Sequence, residues 1–179
     1  MYVKIGLSGL PGVGKTTTLE KTISMLEEEG YKVGGMLTEE VKEGNRRVGF
    51  YVLNWMTKER EIFAHRDFES RYKVGPYGIK IDVLDAVGVK ALEMAMDQAD
   101  VIVIDEIGKM EVESKKFVAT VREILELDKH MILTLHKKSR NPLLQEIRRR
   151  DDIRMLEVTP INRNLLPFKI VKLIKGEQL

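Results

Sequence analysis

The stretch Gly9-Leu-Pro-Gly-Val-Gly-Lys-Thr16 constrains this chain more than any other. It has the form G-x-x-x-x-G-K-[S/T], the phosphate-binding loop, and lies between an apolar strand segment, Val3 to Ser8, and an amphipathic helix segment from Lys15 to Glu29. Gly9, Gly12 and Gly14 admit positive φ and close backbone approach, so amides from Val13 to Thr16 can converge on one anion. The helix N-terminus adds partial positive charge at the same point. Lys15 supplies a full charge for the β and γ phosphates, the Thr16 hydroxyl is placed to ligate Mg²⁺, and Thr17 follows as an α-phosphate contact. Leu10, Pro11 and Val13 occupy the variable positions of the loop. The ligand class is a nucleoside triphosphate, but the loop alone does not say what happens to it.

The rest of the chain alternates strand and helix patterns. Gly30 ends the first helix, and Tyr31 to Thr38 reads as a strand whose Gly34 and Gly35 mark a bulge or a close backbone approach. Glu40–Lys42, Arg47–Asn54 and Arg60–His65, separated by turns at Glu43–Asn45 and Met56–Lys58, read as antiparallel hairpins inserted over about residues 39–66. Arg66 to Gly78 reads as a basic loop with a turn at Gly75-Pro-Tyr-Gly78, and its part from Arg71 to Gly78 is a candidate lid or an ordinary surface loop. Asp82 is expected to cap a helix to Gln98, Ser114 the next helix, and Asn141-Pro142 a short helix to Arg150. Val101–Ile104, Met131–Leu135 and Ile153–Val158 are apolar strand runs. Thr159-Pro160 is expected to open the C-terminal helix, kinked or restarted by Pro167. Strands separated by helices imply an α/β fold with a mostly parallel sheet, right-handed crossovers, and a ligand at the carboxyl ends of the strands. The chain's 179 residues suit one domain, 1–179.

A second chemical element stands 90 residues after Lys15: Val101-Ile102-Val103-Ile104 ends in Asp105-Glu106. This is Walker B form. Asp105 would hold Mg²⁺ opposite Thr16, and Glu106, with no structural duty at a strand end, would polarise the attacking water. Asp105-Glu-Ile107-Gly108 also fits the D-x-x-G of guanine switches, in which Gly108 would meet the γ phosphate. No N-K-x-D guanine-reading motif occurs in the chain, so base choice is open or broad. Two cations are candidates to stabilise the transferring phosphoryl group: Lys109, directly after that run, and Arg163, which could also stack on the base.

Composition removes several other readings. Thirty Lys and Arg against 28 Asp and Glu leave a net charge of +2, so no nucleic-acid partner is expected. Arg148-Arg149-Arg150 is followed at once by Asp151-Asp152 and reads as a solvated helix end. The chain has no cysteine, excluding thiol chemistry and disulfides, and no apolar run approaches a membrane span. A cytoplasmic protein with no membrane partner, monomeric by default, is the expectation, and the charge content of 32% hints at a thermophile source. His65, His130 and His136 have no metal-ligand spacing and read as core or surface residues, and Tyr51 and Trp55 as packing residues.

Taken together, GLPGVGKTT, GGMLTEEV followed by RRVGF (Gly34 to Phe50), VGPYGI (Val74 to Ile79), DEIGKMEVESKKF (Asp105 to Phe117) and TPINR (Thr159 to Arg163) resemble the small P-loop nucleoside-triphosphatase family known from thermophiles, whose human member is called cancer-related nucleoside-triphosphatase. The likeness spans nearly the whole chain in order, and DEIGKME after a strand is its specific part. It implies Mg²⁺-dependent hydrolysis of several nucleoside triphosphates to diphosphate and phosphate. The fold it implies is a three-layer P-loop NTPase sheet, RecA-like or kinase-like, with an antiparallel addition. Gly9 to Thr16 and Val101 to Gly108 would be its two nucleotide-contacting segments. Leu10, where a polar residue is common, and the short turn at Glu43–Asn45 depart from the pattern. Two other readings stand beside hydrolysis: a small-molecule or nucleoside kinase using the hairpins as an acceptor pocket, and a nucleotide-controlled binding module.

Overall fold

The computed structural model describes residues 1–177, leaving Gln178 and Leu179 of the expected 1–179 domain outside the described residues. Its strands are β1 (Lys4–Gly9), β2 (Val33–Glu43), β3 (Arg46–Asn54), β4 (Arg60–His65), β5 (Lys73–Val74), β6 (Tyr77–Ile79), β7 (Val101–Ile107), β8 (His130–His136) and β9 (Ile153–Glu157). Its α-helices are α1 (Lys15–Glu28), α2 (Ile81–Val83), α3 (Lys90–Gln98), α4 (Lys115–Leu125), α5 (Pro142–Arg149) and α6 (Leu166–Lys175), with a π-helical segment, Leu84–Val89, joining α2 to α3.

All nine strands form one sheet in the order β5-β6-β4-β3-β2-β7-β8-β1-β9. The run β2-β7-β8-β1-β9 is parallel, and β3, β4, β5 and β6 pair antiparallel as a wing beyond β2. The strand pleat divides the apolar side chains between two faces. Ile5, Leu7, Val101, Val103 and Ile132 pack with Leu19, Ile23 and Leu26 of α1 and with Ile170 and Ile174 of α6. On the other face Ile102, Ile104, Met131 and Leu133 pack with residues of α3, α4 and α5, among them Leu92, Phe117, Val121 and Leu144. Each such fully buried side chain contributes roughly 1.5–3 kcal/mol. These two layers, more than helix caps worth about 1 kcal/mol each, hold the strand ends in place. The three-layer P-loop NTPase fold with a mostly parallel sheet and added antiparallel strands is thus what the chain forms. Among the described residues no helix is long and apolar enough to cross a membrane.

β2 joins the two halves of the sheet. Val33–Met36 pairs with β7, and Met36–Glu43 pairs with β3, so the two strand segments expected around Thr38 are one long strand. Its glycine pair marks a close approach, while the bulge lies further on, between Val41 and Lys42. Gly35 has φ of 134°, and a Cβ there would stand 1.9 Å from the Val103 carbonyl oxygen. Three further expectations are corrected. The stretch expected as an Arg66–Gly78 loop holds β5 and the start of β6, a hairpin turned at Gly75-Pro76 and ending at Ile79. Asp82 does not cap the following helix, because Lys80 is its N-cap residue and Leu84 N–H bonds back to the Lys80 carbonyl. The C-terminal helix starts at Leu166 with Pro167 in its first turn, and Thr159 instead closes a turn through reciprocal bonds with Asn162. Ser114 and Asn141 cap α4 and α5 as expected, accepting from Phe117 N–H at 3.1 Å and Leu143 N–H at 2.9 Å.

Candidate active site

β1 and β7 both end at the same edge of the sheet with β8 between them, and that edge holds the site. After β1 the chain turns through Gly12 (φ 78°) and Gly14 (φ 104°), left-handed conformations that a side chain would strain, and enters α1 at Lys15. Lys15, only 7% exposed, folds back so that its Nζ donates to the Gly9 carbonyl at 3.0 Å and lies 3.4 Å from Glu106 Oε2. Thr16 Oγ1 donates to Asp105 Oδ2 at 3.0 Å, and Thr134 Oγ1 of β8 donates to Asp105 Oδ1 at 2.5 Å. Phosphate loop, strand-end acids and β8 therefore meet through side chains 89 and 29 residues apart in sequence.

Lys15, Thr16, Asp105 and Glu106 line a cavity of about 740 Å³ together with Pro11, Thr17, Lys109 and His136 from the parallel core and Arg47, Phe50 and Tyr77 from the wing. Arg47 Nε donates to the Tyr77 hydroxyl at 3.1 Å, and the Tyr77 and Phe50 rings meet edge to face with centroids 5.3 Å apart. The wing thus supplies a second, aromatic wall facing the phosphate loop.

Of the residues expected to touch nucleotide, Pro11, Gly12, Gly14, Lys15, Thr16, Thr17, Asp105 and Glu106 line the cavity, as does Lys109. Gly9, Leu10 and Val13 complete the loop without lining it. Val101, Ile102, Val103, Ile104 and Ile107 do not line it: all are fully buried in the sheet, in the strand that carries the two acids. The Gly108 N–H is taken at 3.1 Å by Glu111 Oε1. Arg163 is set apart from Lys109. Its Cδ lies 3.4 Å from where a Gly14 Cβ would be, against the outside of the loop, and it does not line the cavity.

Four groups escaped the sequence reading. Thr134 sits inside the apolar run MILTLH, where the only signal is one polar residue in a buried strand. Glu111, 2% exposed, left no pattern at all. His136, expected in a core or surface role, lines the cavity instead. Arg148, expected on a solvated helix end, binds three carbonyls in the segment after β8: Ser139 at 2.6 Å, Lys137 at 3.0 Å, and His136. Its neighbour Arg150 is likewise an anchor, bonded to Glu126 at 2.6 Å and Asp152 at 2.9 Å.

The electrostatics are acidic. Burial pushes the Asp105 carboxyl up to about 6, against the lowering effect of the two threonine hydroxyls and with Glu106 and Glu20 adding to the rise. Burial pushes Glu111 up to about 8, with Glu106 contributing. The charged neighbours that act on Asp105, Glu106 and Glu20, are themselves carboxylates, and the Lys15 ammonium group lies against Glu106 instead. A hard divalent cation between the Thr16 hydroxyl and the Asp105 carboxylate fits this donor set, because it supplies the missing positive charge to oxygen ligands.

One consequence is measurable without any ligand. The folded Asp105 holds its proton up to about pH 6 against an ordinary 3.8, so this stabilising effect is complete below about pH 4 and lost as the pH rises through 6. Above that window the ionised, buried carboxylate costs roughly 2–3 kcal/mol. With chelator present, Asp105→Asn is therefore expected to melt at a higher temperature than the wild type at pH 7.5, the gap closing toward pH 4. A wild type that is the more stable of the two at pH 7.5 would show that the protein compensates the charge unaided.

Comparison with known proteins points one way. A family model described as NTPase matches residues 4–171. The chain is 42% identical over 176 residues to nucleoside-triphosphatase THEP1 of Picrophilus torridus, covering 98% of each chain. It is 39% identical over 173 residues to the nucleoside-triphosphatase THEP1 of Thermotoga maritima, covering 97% of this chain and 96% of that one. Among solved structures it resembles THEP1 from Aquifex aeolicus with a TM-score of 0.86 and 36% identity, covering 97% and 99% of the two chains. It resembles a human cancer-related nucleoside triphosphatase with a TM-score of 0.82 and 34% identity, covering 99% and 100%.

Proposed function

This chain belongs to the nucleoside-triphosphatase family, and from that premise we propose that it hydrolyses nucleoside triphosphates to the diphosphate and inorganic phosphate in the cavity between the phosphate loop and the end of β7. The observation that carries the reading is the 3.4 Å contact between Lys15 Nζ and Glu106 Oε2. It joins the loop's ammonium group to a carboxylate directly after Asp105, the geometry hydrolysis asks for.

In this reading the γ phosphate takes the place of Glu106 at Lys15. The released carboxylate accepts a proton from a water molecule, whose oxygen forms a bond to the γ phosphorus. The bond from that phosphorus to the bridging oxygen breaks, and its electron pair leaves on the diphosphate. Lys15 and the loop amides hold the charge on the transferring group, and Lys109, in the same cavity, is the second cation. Thr16 and Asp105 are the residues that would hold Mg²⁺, which when bound neutralises phosphate charge. The nucleoside end lies toward Arg163, beside Gly14, and without an N-K-x-D motif base selectivity is broad. The chain works as one domain, without nucleic acid or membrane.

Phosphate release measured across ATP, GTP, CTP and UTP, with no acceptor and with or without Mg²⁺, tests this directly. Release from all four within about tenfold, and only with the metal, is expected. Release from one base alone would overturn the broad selectivity, and metal-independent release would remove Thr16 and Asp105 from their role. A second reading, a kinase, draws on the aromatic wing wall of Phe50 and Tyr77, which could seat an acceptor. No phosphate release until an alcohol or nucleoside is added would favour it.

A further inference from the structure

His136 closes β8 at the same edge of the sheet, and its ladder partner on β1 is Gly9, the first residue of the phosphate loop. The Gly9 carbonyl is also the group that holds Lys15 Nζ. The ring thus stands beside the tip of the loop's lysine and lines the cavity with Glu106 and Lys109. Among the described residues its Nδ1 is the single buried side-chain nitrogen or oxygen without a hydrogen-bond partner. Buried donors left without an acceptor are rarer in proteins than buried acceptors left without a donor, so Nδ1 is the nitrogen left bare and the proton resides on Nε2. The residue lines the cavity, and with Nδ1 buried, Nε2 is the nitrogen left to serve it. Burial holds the imidazole below its ordinary value, with Lys15, Lys109 and Arg148 acting in the same direction and the Glu106 carboxylate opposing. The ring is therefore a neutral, single-proton donor at pH 7. It is held in place through its backbone, since Arg148 donates to the His136 carbonyl as well as to those of Lys137 and Ser139.

We propose that His136 Nε2–H donates a hydrogen bond to the γ phosphate of the bound nucleoside triphosphate, making it a specificity-determining residue that distinguishes triphosphate from diphosphate. The assignment rests on the cavity being the triphosphate site. A diphosphate placed in the phosphate loop lacks the group this donor reaches, so the bond exists in one ligand state only. A hydrogen bond to a charged group is worth about 10- to 100-fold in affinity. Nothing in the Gly9–Gly14 amides needs to change for the residue to act, because they bind both nucleotides.

The test is a pair of dissociation constants, for the non-hydrolysable analogue AMP-PNP and for ADP, both with Mg²⁺, in the wild type and in His136→Ala, His136→Asn and His136→Gln. In His136→Ala the Kd for AMP-PNP is expected to rise about 10- to 100-fold while that for ADP stays within about twofold. Glutamine, whose amide nitrogen reaches about as far as Nε2, restores most of the affinity, and asparagine, which places its amide nearer Nδ1, does not. Should the alanine variant not fold, the asparagine variant supplies the comparison. An unchanged ratio of the two constants, an equal loss for both nucleotides, or rescue by asparagine rather than glutamine overturns the assignment. Failure of the wild type to bind either nucleotide overturns the reading of the cavity itself.

Discussion

Glu106→Gln is expected to bind ATP within about threefold of the wild type and to release phosphate about 10²- to 10⁴-fold more slowly, the range by which a positioned general base accelerates proton transfer. Glutamine matches the carboxylate in shape but cannot take a proton from water. The substitution also isolates chemistry from folding. Glu106 raises the proton affinity of both Asp105 and Glu111, so removing its charge relieves an acidic cluster rather than leaving a partner stranded. Lys15 keeps its bond to the Gly9 carbonyl. Binding is read by calorimetry with ATP and Mg²⁺, turnover by phosphate release under saturating substrate, and integrity by thermal melting. Turnover within a few fold of the wild type would take Glu106 out of the mechanism and leave the cavity to another base.

The second large effect is structural. Gly35→Ala is expected to cost about 4 kcal/mol or more and to lower the melting temperature by about 10 °C, if the variant folds at all. The new Cβ would lie 1.9 Å from the Val103 carbonyl oxygen and 2.9 Å from Val103 N, both backbone atoms of a fully buried strand that cannot give way. The φ of 134° adds strain for any L side chain. Gly34 is the internal control. A Cβ there meets chiefly the Met56 side chain, with Sδ at 2.7 Å, and a flexible thioether can move, so Gly34→Ala costs nearer 1 kcal/mol. Equal melting temperatures for the two variants would refute the close-approach account. Because Gly35 pairs with Val103, two residues before Asp105, a folded Gly35→Ala protein also loses turnover.

The parts of this fold legible in the sequence are those whose signal is local. The phosphate loop declares itself because its glycines, lysine and threonine act within eight residues, and β7 because an apolar run ends abruptly in two acids. Ser114 and Asn141 were readable as caps for the same reason. What escaped depends on partners brought in from far away. β5 is two residues long, too short to show alternation, and exists because β6 pairs with it. The π segment Leu84–Val89 has no sequence signature, since its residue types are those of an ordinary helix. Asp82 has the right residue type for a cap, yet the helix already begins at Ile81, so the side chain falls inside the first turn. In the site, His136 and Glu111 could not be singled out, because a lone histidine at a strand end and a glutamate in a stretch of mixed charge look like surface residues until the sheet encloses them.

The ladder between β1 and β8 places Leu7 opposite Thr134 and Gly9 opposite His136. Both hydroxyl and imidazole reach the site because they share one parity along β8, two residues apart on the same face. A shift of β8 by one residue would turn both away at once, and the apolar residues Met131, Ile132, Leu133 and Leu135 would still fill both faces of the sheet. Such a chain would keep its buried area and its helical and strand content while Asp105 lost the Thr134 hydroxyl. Specific activity after refolding therefore acts as a check digit on strand alignment, reporting an error to which circular dichroism is largely blind.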